Sequence, residues 1–311
     1  MKICIIGDGL TSLSLAKNLI NKKINVHIYY DNKIKNYSLN RTIGISKNNF
    51  DFFQTKIFNI PKKNVWEIKK IEIYSEKLKR QNLLYFENNK KNLFYMIKNY
   101  ELYKSLKNEI KKNKYFKTIL IKKNFYENLL KEQKYDLIIN CSSNNYLSKK
   151  FFSQKIIKDY DNLAFTTTLK HQKIKNDTAV QIFTRFGPIA YLPISNTETS
   201  VVCSLDTKKK NYINREVIDL IYEHNPKYEI KKTLELNYFK LSLSNLRSYR
   251  FKNILAFGDL LHKIHPLAGQ GFNMTIRDIQ ILSRIIESKI DLGMHLDTLI
   301  LDEFEKKTKN K

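Results

Sequence analysis

Two stretches of this sequence hold the residue types that bind a nucleotide. Near the amino end, Gly7-Asp8-Gly9-Leu10-Thr11-Ser12 follows the apolar run at residues 3–6 and precedes Leu13, Ala16, Leu19 and Ile20, which recur at helical spacing. Between a strand and a helix, Gly7 permits a tight turn and Gly9 lets the backbone approach a pyrophosphate. The unpaired N–H groups of the helix start would meet its charge. Ser12 stands where a third glycine is usual, and it is small enough for close helix–strand packing. An acid at the end of the next strand, read over residues 24–30, should hold ribose hydroxyls. Tyr30 falls at the usual place and Asp31 follows it, so Asp31 is the candidate; the plainer reading is that it starts a turn.

The second stretch is FGDLLHKIHPLAGQGFNMTIRD, residues 257–278. A buried strand delivers Gly258-Asp259, whose carboxylate can accept hydrogen bonds from a sugar hydroxyl. Pro266 stiffens the turn, and Gly269 and Gly271 let backbone amides come close to a ligand ring. A helix from about residue 273 would aim its positive end at that ligand. His262 and His265 are the candidates for moving a proton, against the plainer reading that they are hydrogen-bonded core histidines. Arg277 reads equally as a surface ion pair.

The elements needed to position these residues follow from the hydrophobic pattern. Residues 3–6 and 135–140 read as strands buried on both faces, as in a parallel sheet, and residues 254–257 return to that character. Residues 32–54 are irregular and read as a loop carrying Arg41; a helix is expected over about 100–112. Between residues 164 and 205, AFTTTLKH, AVQIFTRF, IAYLPI and SVVCSL alternate and predict consecutive antiparallel strands. The expected fold class is therefore α/β with mixed α+β character, a Rossmann-like domain interrupted by an antiparallel sheet. Residues 1–60, 95–150 and 245–311 would form the nucleotide domain, and 61–94 with 151–244 the sheet domain.

Composition narrows the classes. A formal net charge of +26 invites a nucleic-acid reading, but the lysines are spread along the whole chain and interleaved with Asn and Ile. A phosphate-tracking surface concentrates them on one element, so nucleic acid is not expected as a partner. The same charge would favour an anionic lipid surface. Three scattered cysteines, Cys4, Cys141 and Cys203, make neither a disulfide framework nor a metal knuckle, and no metal is expected. The amino-terminal apolar run is too short for a signal peptide, and no stretch approaches the roughly 18 apolar residues that span a bilayer. A cytoplasmic protein, peripheral to the inner face of the membrane, is the expectation.

The second stretch resembles the FAD-binding Gly-Asp motif of aromatic-ring hydroxylases, which have the para-hydroxybenzoate hydroxylase-like fold. It is most similar to the ubiquinone-biosynthesis branch, whose members read close to GDAAHxxHPxAGQGxNxGxRD. Gly258, Asp259, His262, His265, Pro266, Gly269, Gln270, Gly271, Asn273, Arg277 and Asp278 match. NRTIGIS at residues 40–46, YMIKNYELYKSL at 95–106 and GPIAYLPI at 187–194 resemble further family segments in order along the chain.

The resemblance implies an FAD-dependent monooxygenase. Gly7, Gly9, Ser12 and Asp31 would hold the ADP half, and Gly258 and Asp259 would bind ribityl or ribose oxygens. Residues from Pro266 to Asn273, with Gly269, Gln270, Gly271 and Phe272 among them, would line the isoalloxazine, and Arg41 would lie near it. NAD(P)H or another donor would reduce the flavin. The substrates would be oxygen and a hydrophobic phenol or quinol carrying a polyprenyl tail, with peripheral contact to a membrane or a quinone-biosynthesis complex.

Two departures stand against it. YDLIINCSSNNY aligns with the family's ADLVVGADGxxS and puts Ser142-Ser143 where an Asp-Gly pair is usual. In the family that motif contacts the flavin nucleotide and nicotinamide, so the departure counts against NAD(P)H; the segment before it lacks a hairpin. The chain also ends at FEKKTKNK, where family members continue with further helices. A flavin reductase of the same fold, or a non-catalytic flavin- or lipid-binding subunit, are the competing readings.

Overall fold

The computed structural model describes residues 1–31, 41–77, 82–88, 92–208, 212–263 and 270–309. The amino-terminal βαβ unit consists of β1 (Lys2–Ile6), α1 (Leu10–Asn21) and β2 (Asn25–Tyr30). Apart from Lys2, β1 is wholly buried, because parallel neighbours cover both of its edges and other elements both of its faces. Next come β3 (Thr42–Ser46), α2 (Lys47–Phe52) and a single wide helical turn at Phe53–Ile57. The loop expected over residues 32–54 is thus corrected from residue 42 onward. Ile43 and Ile45 fill the core, and Asn18 and Asn21 of α1 donate to the Lys56 and Ile57 carbonyls of the wide turn.

The chain continues through β4 (Trp66–Ile68), β5 (Lys70–Ser75), β6 (Asn82–Glu87) and β7 (Phe94–Lys98), then α3 (Asn99–Lys111). Leu102, Leu106 and Ile110, four residues apart, give α3 one buried face. Each such side chain contributes about 1.5–3 kcal/mol when fully removed from water. After β8 (Phe116–Leu120), a short helix α4 (Phe125–Lys131) leads into β9 (Leu137–Asn140) and α5 (Tyr146–Phe151).

Next come β10 (Lys155–His171), β11 (Thr178–Thr184), β12 (Gly187–Pro193), β13 (Glu198–Asp206), α6 (Asn214–Glu223), β14 (Ile230–Thr233) and β15 (Asn237–Leu246). The chain closes with β16 (Arg250–Phe251), β17 (Ile254–Ala256), β18 (His262–Lys263), α7 (Gln270–Asp291) and α8 (Leu299–Lys309).

Three sheets result. The first runs β16-β17-β9-β1-β2-β8 and is parallel except at β16. The second runs β18-β15-β10-β13-β12-β11-β5-β6, with β14 beside β10. It is antiparallel apart from β11 against β5, a parallel pairing that the run of alternating segments did not disclose. The third is a small sheet, β3-β7-β4. Each large sheet has its own core. A small cluster of Ile68, Met96 and Ala179, with Trp66, Ile71, Phe94 and Leu192 against it, packs the third sheet onto the second.

Candidate functional site

The carboxyl ends of β1, β2, β9 and β17 lie along one edge of the parallel sheet, where ligands bind in open α/β folds. At the end of β1, Gly7 takes φ +105°, a left-handed conformation natural only to glycine, and its N–H donates to the Tyr29 carbonyl at 2.8 Å. A Cβ there would face Ser12 Oγ at 3.5 Å and Ser142 Cβ at 3.7 Å. Gly9 caps α1 in extended conformation, no side chain caps the helix, and a Cβ on Gly9 would meet nothing within 4 Å. The first turn of α1 carries no acid. Space is therefore open beside the helix start at Gly9, and the helix's own first turn holds no acid to repel an anion.

Gly258 meets this helix start from the other end of the sequence. It takes φ +64°, and a Cβ on it would lie 2.7 Å from the Thr11 methyl. The Gly258-Asp259 turn therefore rests on the first turn of α1, in a spacing that admits no side chain. Asp259 is exposed after β17, and Asp31 is exposed after β2. In the strand order β17-β9-β1-β2, the two carboxylates flank the glycine turn on opposite sides. Open amides between two exposed carboxylates fit a dinucleotide, with the amides on its pyrophosphate and the carboxylates on its sugar hydroxyls. A cavity of about 220 Å³ adjoins this edge, between α3 and the β2–β8 pair, with Asp8, Tyr30, Tyr103 and Thr118 among its lining.

The altered motif after β9 is a closed polar network. Asn140 is buried and donates to Ser148 Oγ at 2.9 Å, while its own oxygen accepts from Asn145 Nδ2 at 2.8 Å and from the Ser142 N–H at 3.2 Å. Asn145 caps α5 by accepting from the Ser148 N–H at 2.9 Å. Ser143 is exposed, so the backbone of Ser142 and the Asn140–Ser148 pair give this loop its shape. Asn145, a capping residue type directly ahead of Tyr146 and Leu147, was the signal for that cap. Burial pushes the neighbouring Cys141 thiol up to about 12.

Arg41 and the residues of the second stretch divide between exposed and structural positions. Arg41 is exposed at the entry to β3, and its carbonyl accepts from the Asn99 N–H at 2.9 Å. Gly271 is exposed with space where a Cβ would be. Phe272 turns into the protein, its ring 6.1 Å from that of Phe53. Asn273 is buried and clamps β3 and α2: Nδ2 donates to the Gly44 carbonyl at 2.8 Å, and Oδ1 accepts from the Ser46 N–H at 2.9 Å and Asn49 Nδ2 at 2.8 Å. His262 Nε2 lies 2.8 Å from Asp278 Oδ2. That contact does not have hydrogen-bond geometry. Helix α7 begins at Gln270, earlier than expected. His265, Pro266, Gly269 and the side chain of Gln270 lie outside the described residues.

Strand register defines a second wall that sequence reasoning missed. Ala179 and Leu192 pack against the small sheet, and Thr42 Oγ1 donates to Ser200 Oγ at 2.9 Å. Alternation puts Gln181, Ala190, Val202 and Thr166, aligned across β11, β12, β13 and β10, on this same face. All four are half-buried, whereas the opposite face is closed by Val217 and Ile221 of α6. Period-two counting outward from GPIAYLPI would have found the row. Among the described residues no group of three or more His, Cys, Asp or Glu side chains could hold a metal, and no helix is long and apolar enough to cross a membrane.

A glycine turn and a Gly-Asp turn meeting at a parallel sheet, beside a broad sheet with one open face, make up the fold of the FAD-dependent aromatic monooxygenases. Residues 154–294 match the family model described as FAD binding domain, and FAD is the cofactor that match assigns. The chain is 25% identical over 221 residues to the ubiquinone biosynthesis monooxygenase COQ6 of Dictyostelium discoideum, covering 54% of this chain and 44% of that protein. It is 26% identical over 145 residues to the ubiquinone hydroxylase UbiL of Rhodospirillum rubrum, covering 43% of this chain and 33% of that one. The chain thus spans less than half the length of these relatives. The structure of PqsL, a probable FAD-dependent monooxygenase from Pseudomonas aeruginosa, superposes with a TM-score of 0.77 at 12% identity, covering 99% of this chain and 91% of that one. These similarities agree with the resemblance drawn from the sequence.

Proposed function

We propose that the chain is an FAD-dependent monooxygenase that hydroxylates the ring of a hydrophobic phenol or quinol, the class of chemistry named for its ubiquinone-biosynthesis relatives. The observation that carries this reading is the contact of Gly258 with Thr11, which brings two flavin-type motifs from opposite ends of the chain to one helix start. Bound FAD supplies electron transfer and the activation of oxygen. The protein's part is to bind, orient and exclude water. The α1 amides and the Asp31 and Asp259 carboxylates hold the nucleotide, and Arg41 and the backbone at Gly271 face the ring system. Phe272 and Asn273 act through placement, by fixing α7 against β3 and α2. His262 is a positioning residue in this account, held beside Asp278.

Ala190 and Val202 offer an apolar floor to a substrate ring, and Thr166 and Gln181 offer hydrogen bonds to its oxygens. This supports a lipid-like aromatic substrate over an aromatic acid. In this reading residues 1–60, 95–150 and 245–311 bind FAD, and 61–94 with 151–244 bind substrate. NAD(P)H is the proposed donor, and peripheral contact with a membrane or a quinone-biosynthesis assembly the proposed setting. Ser142-Ser143 in place of the Asp-Gly pair favours one alternative, a flavoprotein that takes electrons from a partner instead of nicotinamide.

The test is anaerobic reduction of the FAD-loaded protein by NADH and NADPH, followed by isotope-labelled oxygen and prenylated phenols. Bleaching and label in the ring support the monooxygenase. Bleaching without ring oxygen leaves a reductase, and bound flavin that ignores both nucleotides favours the partner-fed alternative.

A further inference from the structure

Among the described residues, strand β6 is the outer edge of the large sheet, paired through β5 alone. Leu83, Leu84, Tyr85 and Phe86 are 43–54% exposed on it, four consecutive large apolar side chains. Isolated exposed apolar residues are ordinary; a contiguous group marks a docking surface. Register ties this edge to the proposed substrate wall. Leu84 stands opposite Ile73 and Phe86 opposite Ile71, while Ile73 stands beside Gln181 and Ile71 beside Ala179. Leu84 and Phe86 therefore share the face that carries Gln181, Ala190 and Val202, and the exposed Phe183 lies on it too. A lane runs from that floor to the free edge of the sheet, with Gln181 at its inner end and Ile73, Ile71, Leu84 and Phe86 making its outer part apolar.

We propose that β6 docks the protein on an anionic lipid surface, so that the tail of a lipid-like substrate enters along the Leu84–Ile73 lane. The proposal deepens the substrate reading above and rests on it for the direction of entry. Charge selects the occupant. Three acids at this end are engaged by basic or N–H groups: Glu87 with Lys70, Asp177 with Lys175, and Glu76 with the Arg185 N–H. Glu72 accepts from the Tyr74 hydroxyl, and Glu67 is exposed. Lys69 and Lys77, at the two ends of β5, are exposed. In the sequence, Lys79, Arg80, Lys90 and Lys91 bracket the strand, outside the described residues. Each basic side chain near an anionic leaflet is worth about 1 kcal/mol.

A second copy on β6 would bring together two chains of formal charge +26 each, which disfavours that occupant. The open N–H and C=O groups of the edge cannot enter dry hydrocarbon, so docking is interfacial, a depth that suits the amphipathic ring of Tyr85.

The test is flotation of the FAD-loaded full chain with vesicles of phosphatidylcholine, with or without phosphatidylglycerol. Wild-type protein should float with the anionic vesicles and be released by salt. The double variant Leu84→Ser/Phe86→Ser should bind them at least about tenfold more weakly. Ile157→Ser, at an exposed position on β10, should bind normally, and every variant should keep the same flavin spectrum. Wild-type protein that ignores anionic vesicles, or a double variant that binds them as wild type does, overturns the proposal. So does a wild-type dimer in sedimentation that the double variant dissolves without any vesicle binding; the surface then belongs to a second copy. Vesicle binding lost in the double variant, with no ring hydroxylation by the wild type, leaves the docking surface standing and removes the substrate reading.

Discussion

Gly258 and Thr11, at opposite ends of the sequence, approach so closely that one added carbon on Gly258 would stand 2.7 Å from the Thr11 methyl. With φ at +64° as well, Gly258→Ala must both strain its backbone and push α1 away from the Gly-Asp turn. The expected cost is about 1–3 kcal/mol, with weaker FAD retention. Urea unfolding and flavin content after gel filtration measure the two effects. A variant as stable and as yellow as wild type would show that this contact is not tight.

Asn273→Ala removes the buried amide that joins α7 to β3 and α2, leaving the Gly44 carbonyl, the Ser46 N–H and the Asn49 amide without it. The loss should be about 2–4 kcal/mol in denaturant unfolding. Asn273→Asp keeps the acceptor but loses the donor to Gly44 and buries a charge, so it should rescue little. Full stability in either variant would refute the clamp.

Both large motifs were legible in the sequence because glycine does physical work there: an apolar run, a left-handed turn and an open helix start leave a pattern in residue type. The antiparallel middle was legible from alternation. The parallel pairing of β11 with β5 was not, because alternation reports which face a residue occupies and not which strand lies beside it. Residues 42–52 read as loop because Gly44 and a run of asparagines mask a strand and a short helix, and Asn273, remote in sequence, holds them in place. The roles of Phe272 and Asn273 were obscured for the opposite reason: their motif advertises a ligand, whereas their side chains serve packing beneath it.

Burial pulls the His27 imidazole down to about 4 from 6.5, with Lys2, Lys117 and Lys134 adding to the shift. The folded state therefore favours the neutral ring. Its contribution to stability is complete above about 6.5 and declines as pH falls toward 4, because the unfolded chain binds the proton first. Thermal midpoints through that window should fall less steeply for His27→Gln than for wild type. Parallel curves would contradict the assignment.

The three thiols should be inert in the native protein. Burial pushes Cys141 and Cys203 up to about 12 and Cys4 higher still, so thiolate is scarce near neutral pH. Ellman's reagent should react slowly with the folded chain and count three thiols in denaturant. One fast native thiol, above all Cys141 beside the glycine turn, would show that the turn opens.

The central claim is that the Gly-Asp turn and the α1 helix start hold one FAD, and titrating apo-protein with FAD while following flavin fluorescence or absorbance tests it most directly. Wild type should bind FAD stoichiometrically, and Asp259→Ala should bind it far more weakly with an unchanged circular dichroism spectrum, since Asp259 is exposed and carries no part of the core. Equal FAD affinity in both proteins, or none in wild type, would contradict the account.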